Sequence, residues 1–488
     1  MTSPSPHINR WRAFALLGVA FFMTTIDLTI VNTSLPTIGR KLHFSQTNLQ
    51  WVVTAYGLAF GGFMLLGGRA ADLLGRRRVL MAGVGLFTAA SLGATLAASE
   101  TFLIAMRALQ GLGAAMLLPA ALSSVRNLFT DGAERNKALG IWGGLGAGGA
   151  TAGIILGGLL TRYAGWQYVF FINVPVGAMI LLLAPRLVPE SRLESSERRY
   201  DPFGAVTVTA GLVLLVYAIS QAPVHGWGAT RTVGLLAASA ALLATFLVIE
   251  SRVAAPLLPL SIFRLRTLAG SNIGGLLLGA SFYAFIFIGT LYMQQVIGYS
   301  PLKGGFTWLV ASLASIAFAG LSQLLVTRTS VKLVMALGMT LIGGGIIWAT
   351  QMPVAGQFWA NMLGPFLVVG IGTAFAFIPV SIGALTGVTE QQAGLASGLI
   401  YTSQELGGAL GIAMASSVAA SHYKTLLHAG NSVPAALTGG FQQAFWILGG
   451  IALIAVPAIF ALIRPEESET AAAPAAGGEP QASLASTN

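Results

Sequence analysis

The segment GRAADLLGRRRVL, from Gly68 to Leu80, determines how the rest of this chain is interpreted. It joins two apolar runs, at about 48–68 and 79–98, and each is close to the roughly 20 residues that an α-helix needs to cross a membrane. Its glycines permit a tight turn, and Asp72 can cap a helix end or pair with an arginine. The arginines Arg76 to Arg78 favour the cytoplasmic face. A basic membrane turn is one interpretation, and a specific conformational element is the other.

The composition places the whole chain in a membrane. Of its 488 residues, 55% are hydrophobic and only 9% are charged, against roughly 25% charged in a soluble domain. The absence of cysteine excludes disulfides, thiolate metal sites and cysteine nucleophiles. A net charge of +10 would suggest nucleic acid in a soluble protein. Here the basic residues cluster in short loops between apolar runs, so we expect no nucleic-acid partner.

Apolar runs of spanning length recur along the chain and predict fourteen transmembrane helices. An even number of spans places both termini on the same side. Most arginines and lysines fall in the loops that share the side of the N-terminus, so we expect both termini in the cytoplasm. The first apolar run continues as a full span without a convincing cleavage site, and we therefore expect no cleaved signal peptide.

Several segments resemble one transporter family. Gly68, Asp72, Gly75, Arg76 and Arg77 match the G-x-x-x-D-x-x-G-R-[RK]-[RK] signature of the major facilitator superfamily, where this turn latches two helical bundles in one conformation. Five other segments resemble motifs of its 14-helix drug:proton antiporter branch, in the same order along the chain: 27–36 (DLTIVNTSLP), 107–115 (RALQGLGAA), 166–177 (WQYVFFINVPVG), 256–266 (PLLPLSIFRLR) and 292–301 (YMQQVIGYSP).

The resemblance implies an all-α polytopic fold with two six-helix bundles and two inserted helices. It also implies a multi-pass protein of the bacterial cytoplasmic membrane. On this basis the chain divides into five parts, which are an N-terminal bundle (1–188), a cytoplasmic linker (189–202), the two additional helices with a loop (203–266), a C-terminal bundle (267–464) and a disordered cytoplasmic tail (465–488).

One segment departs from the family pattern. Residues 153–158 read GIILGG, where antiporters of this family usually have Gly-Pro-x-x-Gly-Gly, so that Ile154 replaces a proline and the helix should be less kinked. Glycines at four-residue spacing still predict close helix packing; the glycines of this packing motif are Gly149, Gly153, Gly157 and Gly158.

Asp27 is the first candidate for proton coupling, because a carboxylate inside a membrane span is costly unless it has a function. Counting about 1.5 Å per residue from the helix ends, Asp27 and Arg107 lie at overlapping depths. Family resemblance places their helices in one bundle. We expect Arg107 to pair with Asp27 or to tune its protonation. The alternative is a permanent ion pair that only fixes helix packing.

Glu405 is the second candidate, near the middle of the thirteenth span and beyond the reach of any lysine or arginine of its own helix. Similar transporters more often have glutamine here. A buried glutamate without a cation should be protonated at rest, and it could exchange a second proton or bind a cationic substrate. The alternative is a neutral side chain hydrogen-bonded across helices.

Aromatic and amide side chains within the spans are candidates for a substrate cavity, although most such residues serve packing or the membrane interface. The candidates are Tyr56, Gln110, Trp142, Tyr283, Gln294, Tyr401 and Gln404. The five histidines fall in loops or near span ends without metal-ligand spacing, so no metal site is expected.

The resulting hypothesis is a proton-coupled antiporter, not an enzyme, that exports amphipathic or cationic compounds by alternating access. Its expected partners are a lipophilic or cationic small molecule, protons and the lipid bilayer. It needs no cofactor beyond the proton gradient and functions as a monomer. The alternative is a proton-coupled importer or an uncoupled facilitator of a small metabolite, for which Ile154 is the best support. An embedded enzyme would need grouped catalytic residues within the spans, and the sequence has none.

Overall fold

A computed structural model describes residues 9–45, 48–129, 132–191, 202–253, 256, 258, 260–388 and 393–463. The predicted tail 465–488 and positions 192–201 of the predicted linker lie outside these residues. The described residues form fifteen α-helices and no strand: α1 (Arg10–Lys41), α2 (Trp51–Leu74), α3 (Arg76–Thr95), α4 (Glu100–Leu128), α5 (Gly132–Tyr163), α6 (Tyr168–Phe171), α7 (Asn173–Leu187), α8 (Pro202–His225), α9 (Thr230–Arg252), α10 (Arg266–Leu291), α11 (Pro301–Arg328), α12 (Val331–Ala349), α13 (Leu363–Gly383), α14 (Ala393–His428) and α15 (Val433–Leu462).

The helices of the described residues provide thirteen to fourteen candidate membrane spans, against the fourteen predicted. Among the described residues thirteen spans are long and apolar enough by composition, with α6 and α7 counted as one. The fourteenth is α14, which has 36 residues and carries the polar run 402–405 in its interior. Short π-helical turns extend α10 at Tyr292–Val296 and precede α13 at Phe358–Met362.

Local sequence signals set the helix ends. Asn9, Ser99, Ser300 and Ser330 each accept backbone N–H groups with their side chains at the start of α1, α4, α11 and α12. Such caps satisfy the donors that the first turn of a helix leaves free. Gly75 separates α2 from α3 with a φ of +109°, a conformation that glycine adopts without strain. The tight turn at this position is therefore a consequence of the residue type.

The helices pack as two bundles with the same internal arrangement. In the first, α1 packs on α5, α2 on α4, α3 on α4 and α3 on α7. In the second, α10 packs on α14, α11 on α13, α12 on α13 and α12 on α15. Each of these four contacts of the first bundle therefore has its equivalent in the second, as expected for two parallel repeats. The predicted pair of six-helix bundles is confirmed.

The most extensive contacts between the bundles are those of α2 with α14 and of α5 with α11. The additional helices form a hairpin in which α9 packs on α8, and α8 in turn contacts both α2 and α14. Gln50 donates a buried hydrogen bond of 2.6 Å to Ser220 of α8. The inserted hairpin thus lies against the α2–α14 junction.

Candidate functional site

Asp27 lies at the centre of a polar network inside the first bundle, on a helix whose other buried residues are mostly apolar. Its side chain is 0% exposed. One carboxylate oxygen accepts a hydrogen bond of 2.5 Å from Arg107. The other accepts from Asn173 at 2.9 Å and from Gln110 at 3.3 Å. The three donors therefore come from two helices, α4 and α7.

Arg107 is equally well satisfied. It is 1% exposed, donates from Nε to the carbonyl of Val52 at 2.8 Å and from a terminal nitrogen to Gln110 at 2.9 Å. Its guanidinium lies 4.5 Å from the ring centre of Tyr56 and 5.8 Å from that of Phe170. A buried ion pair is maintained only when such additional contacts offset its desolvation. The structure therefore brings Asp27 and Arg107 together as a closed pair.

Glu405 has a different environment, at the junction of α2 and α14. It is 6% exposed, and no described residue forms an ion pair or hydrogen bond with its carboxylate. The helices approach closely here because α2 presents glycines: a Cβ added to Gly57 would lie 3.4 Å from Glu405 Oε2, and one on Gly61 3.4 Å from its Cβ. Beside it, Thr402 donates a hydrogen bond of 3.2 Å to the Gly61 carbonyl.

The predicted cavity residues separate into three groups. Gln110 and Tyr56 belong to the ion-pair network, and Gln110 also donates to Ser91 at 2.7 Å; their predicted role in a substrate cavity stays a prediction. Trp142 stacks on Phe21 with ring centres 4.4 Å apart and is core packing. Residue type and depth alone could not distinguish these positions, because the neighbours that satisfy them come from other helices.

The remaining predicted cavity residues lie at or near the second bundle's interface. Gln294 donates a hydrogen bond of 2.7 Å to the Thr33 carbonyl and so joins α10 to α1. Gln404 is buried, and its backbone packs on Gly279. Tyr401 is partly exposed. Tyr283 packs on Gly408, one turn beyond Glu405.

The turn between α2 and α3 is built around two acids. Asp72 accepts from Arg76 at 3.0 Å. Glu190, which the sequence analysis did not single out, accepts the backbone N–H of Arg77 at 3.1 Å and lies 3.7 Å from its side chain. A Cβ on Gly75 would lie 2.6 Å from Glu190 Oε1, so glycine is required for the approach as well as for the turn.

Two further contacts hold this turn. The N–H of Arg76 donates to the Ser191 carbonyl at 2.9 Å, and a Cβ on Gly68 would meet Pro119 of α4 at 3.5 Å. All of these contacts lie within the first bundle or its following segment. The predicted role of the turn as a latch between bundles stays a prediction.

The glycines of α5 pack as their spacing predicts. Added Cβ atoms on Gly149, Gly153 and Gly157 would meet successive turns of α1, at residues 22–25, 26–29 and 30–33. Gly158 instead faces α11, where a Cβ would lie 2.8 Å from the Cα of Leu302. One turn away, the carbonyl of Ile154 would lie 2.9 Å from a Cβ on Gly305.

Asn173 is the other residue that sequence reasoning missed. It lies in the quoted segment 166–177 and is 1% exposed, with its amide bound to Asp27. The available signal was an amide inside an apolar run, at the point where α6 passes into α7.

Comparisons with known proteins agree with this geometry. The sequence profile described as Major Facilitator Superfamily matches residues 17–412. The puromycin resistance protein pur8 of Streptomyces alboniger is 35% identical over 91% of this chain and 88% of its own. The cephamycin export protein CmcT of Amycolatopsis lactamdurans is 37% identical over 84% and 85%. A crystal structure of the POT family transporter PepTSo has a TM-score of 0.68 at 16% identity, covering 92% of this chain and 97% of that one.

Proposed function

Since this chain belongs to the major facilitator superfamily and is a membrane transporter and not an enzyme, we propose that it exports antibiotics or other amphipathic drugs in exchange for protons. Relatives named for puromycin resistance, cephamycin export and lincomycin resistance support efflux as the direction of transport. The chemical diversity implied by those names favours amphipathic character, including organic cations, over one shared scaffold.

The observation that carries proton coupling is the contrast between the two buried acids. The carboxylate of Asp27 has three donors, one of which is the paired cation Arg107, whereas that of Glu405 has no partner among the described residues. A buried carboxyl group without a cation is most stable with a proton bound. Glu405 is therefore the acid best placed to hold a proton at rest, and Asp27 the one that must first lose Arg107.

The position of Glu405 connects protonation with movement. It lies where α2 of one bundle meets α14 of the other, the kind of junction that changes when two bundles rock about a central site. Substrate and proton would compete for this region, so that binding of one lowers the affinity for the other. The Asp27–Arg107 pair would act in the same cycle as a second, slower-opening site.

The driving force depends on the charge of the substrate. For a neutral substrate, one proton entering down 100 mV supplies about 2.3 kcal/mol, which sustains roughly a 50-fold concentration ratio. Exchange of one proton for a monovalent cation moves no net charge, so only the pH difference drives it, at about tenfold per pH unit. We propose that the protein works as a monomer in the bacterial cytoplasmic membrane with both termini inside, without a cofactor.

The second candidate function is import, or uncoupled facilitation, of a small metabolite. The observation in its favour is Ile154, which takes the place of the motif proline within an α5 helix that runs without interruption from Gly132 to Tyr163. If the missing proline has removed the exporter geometry, transport should ignore the pH gradient or run inward.

Purified protein in proteoliposomes distinguishes these functions. Ethidium movement is followed by fluorescence under a pH gradient of either sign, with and without a protonophore, for wild type, Asp27→Asn and Glu405→Gln. The matched control is Glu250→Gln, which changes a buried glutamate at the end of α9, outside both bundles. Antiport is supported if ethidium movement follows the pH gradient, if Glu405→Gln and Asp27→Asn each reduce that movement at least tenfold, and if the control variant retains it. Wild-type movement that is indifferent to the gradient contradicts it.

A further inference from the structure

Tyr56 carries a hydroxyl group that its visible contacts do not explain. The side chain is 1% exposed, and its oxygen has no hydrogen-bond partner among the described residues. Tyrosine hydroxyls in protein interiors nearly always find a partner. The ring alone accounts for the stacking on Arg107 at 4.5 Å, and phenylalanine would provide that stacking without burying an unpaired oxygen.

The position of Tyr56 on α2 suggests what the hydroxyl is for. One turn earlier, the Val52 carbonyl accepts from Arg107. The next residue, Gly57, faces the carboxylate of Glu405. A single stretch of α2 therefore touches the ion pair of the first bundle on one side and the unpaired acid of the second on the other. The ionisable groups next to this stretch of α2 are therefore Arg107 with its partner Asp27, and Glu405.

Of these groups, Glu405 has the most open capacity to accept a hydrogen bond. The Asp27 oxygens already take three donors, which leaves about one of a carboxylate's roughly four acceptor positions, and a guanidinium accepts none. The Glu405 carboxylate has no donor among the described residues. On the basis of the proposed function, we propose that Tyr56 is a positioning residue that donates its hydroxyl to Glu405 when that acid has released its proton, with its ring remaining on Arg107.

Other ionisable groups also lie near Glu405, but among the described residues none of them forms a hydrogen bond or ring contact with the Asp27–Arg107 pair. α10 contributes Tyr283, and α14 itself contributes Tyr401, which is partly exposed. α13 and α15 carry no ionisable side chain. On α8, Tyr217 already accepts a hydrogen bond from Arg231. Among these tyrosines of the described residues, Tyr56 is the one whose ring also contacts the Asp27–Arg107 pair, so it is the group placed to link the two acids.

The consequence is a link between deprotonation in one bundle and the ion pair in the other. A hydroxyl donated to the charged carboxylate favours the deprotonated form. To donate to Glu405 the phenol must tilt while its ring stays on Arg107. The tilt changes how the ring covers the guanidinium, and therefore how firmly Arg107 is retained beside Asp27. Proton release from Glu405 and loosening of the Asp27–Arg107 pair would then be coupled events and not independent ones.

An infrared pH titration tests this without relying on transport. The band of the protonated carboxyl group is followed in the purified protein, and the signal that disappears in Glu405→Gln is assigned to Glu405. In Tyr56→Phe its midpoint should move to higher pH by about one to two units, because the charged form loses a hydrogen bond. Tyr292→Phe is the control, since that hydroxyl donates to the Pro353 carbonyl instead, and its midpoint should not move.

Transport measurements give the second readout. The pH of half-maximal exchange should rise in Tyr56→Phe by the same amount, and Tyr56→Phe should add nothing in a Glu405→Gln background. A midpoint that is unchanged in Tyr56→Phe, a transport effect that persists without Glu405, or the lack of any Glu405-dependent titrating band overturns the inference. If the midpoint moves but wild type ignores the proton gradient, the hydroxyl role holds and proton antiport fails.

Discussion

Removing both partners of the Asp27–Arg107 pair should destabilise the protein by less than the sum of the two single losses. Asp27→Asn leaves Arg107 charged and buried, with the Val52 carbonyl, the Gln110 oxygen and the rings of Tyr56 and Phe170 as its contacts. Breaking a buried ion pair on one side costs about 3–5 kcal/mol, since the remaining charge is uncompensated. We expect about 3 kcal/mol here, because these neutral contacts remain.

Arg107→Gln should cost less, about 2 kcal/mol, because the stranded carboxylate keeps two amide donors and can take up a proton. The double variant Asp27→Asn/Arg107→Gln has no buried charge left at this place. It should therefore lose no more than about 3 kcal/mol, so that the coupling energy of the cycle is about 2 kcal/mol.

Equilibrium unfolding in mixed detergent micelles, read by tryptophan fluorescence, measures all four free energies of unfolding. The control is Glu405→Gln, which removes an acid that has no partner among the described residues and should leave stability within about 0.5 kcal/mol of wild type. If the loss of stability in the double variant equals the sum of the two single losses to within about 0.5 kcal/mol, the two side chains do not interact energetically. That result would refute the reasoning from their 2.5 Å contact.

Three further changes test the packing and the conformational elements. Gly157→Ala should lower the unfolding free energy by at least about 1 kcal/mol, since its Cβ would press on the α1 backbone. The control Gly144→Ala has open space around it and should be neutral or slightly stabilising. Equal effects of the two changes would contradict the packing argument. Glu190→Ala removes a cap from α3 and should cost about 1 kcal/mol, seen as faster hydrogen exchange in the first turn of that helix; unchanged exchange would deny it this role. Because the chain has no native cysteine, the pair Ile154→Cys/Gly305→Cys should form a disulfide that stops transport reversibly; full transport with the disulfide formed would show that α5 and α11 stay together through the cycle.

The features that could be predicted from the sequence are those that follow from one helix at a time. Apolar length sets the spans, and glycines four residues apart on α5 marked the face that packs on α1. The contact between Asp27 and Arg107 could be predicted for a different reason. Charged groups are rare inside the spans, and the depths of the two residues overlap, but the family resemblance was needed to place their helices in one bundle.

The features that could not be predicted depend on which neutral groups meet across helices. Gln110 and Asn173 complete the Asp27 site, yet amides are common enough in membrane helices that their presence marks nothing in particular. Glu190 follows a span and reads as one more loop charge, although it caps α3 from more than 100 residues away. These roles are set by tertiary packing, and periodicity contains no information about it.

The stability cycle and the transport assay together decide what the ion pair is for. Suppose that the coupling energy is about 2 kcal/mol and that Asp27→Asn/Arg107→Gln keeps gradient-driven transport. The pair is then a packing element, and Glu405 is the acid that senses the gradient. If the coupling energy is the same but the double variant loses transport, although its stability is nearly that of the single variants, transport requires the charges of the pair. In that case opening the pair costs about as much as the roughly 2.3 kcal/mol that one proton supplies at 100 mV, so the gradient would be sufficient to break it once in each cycle.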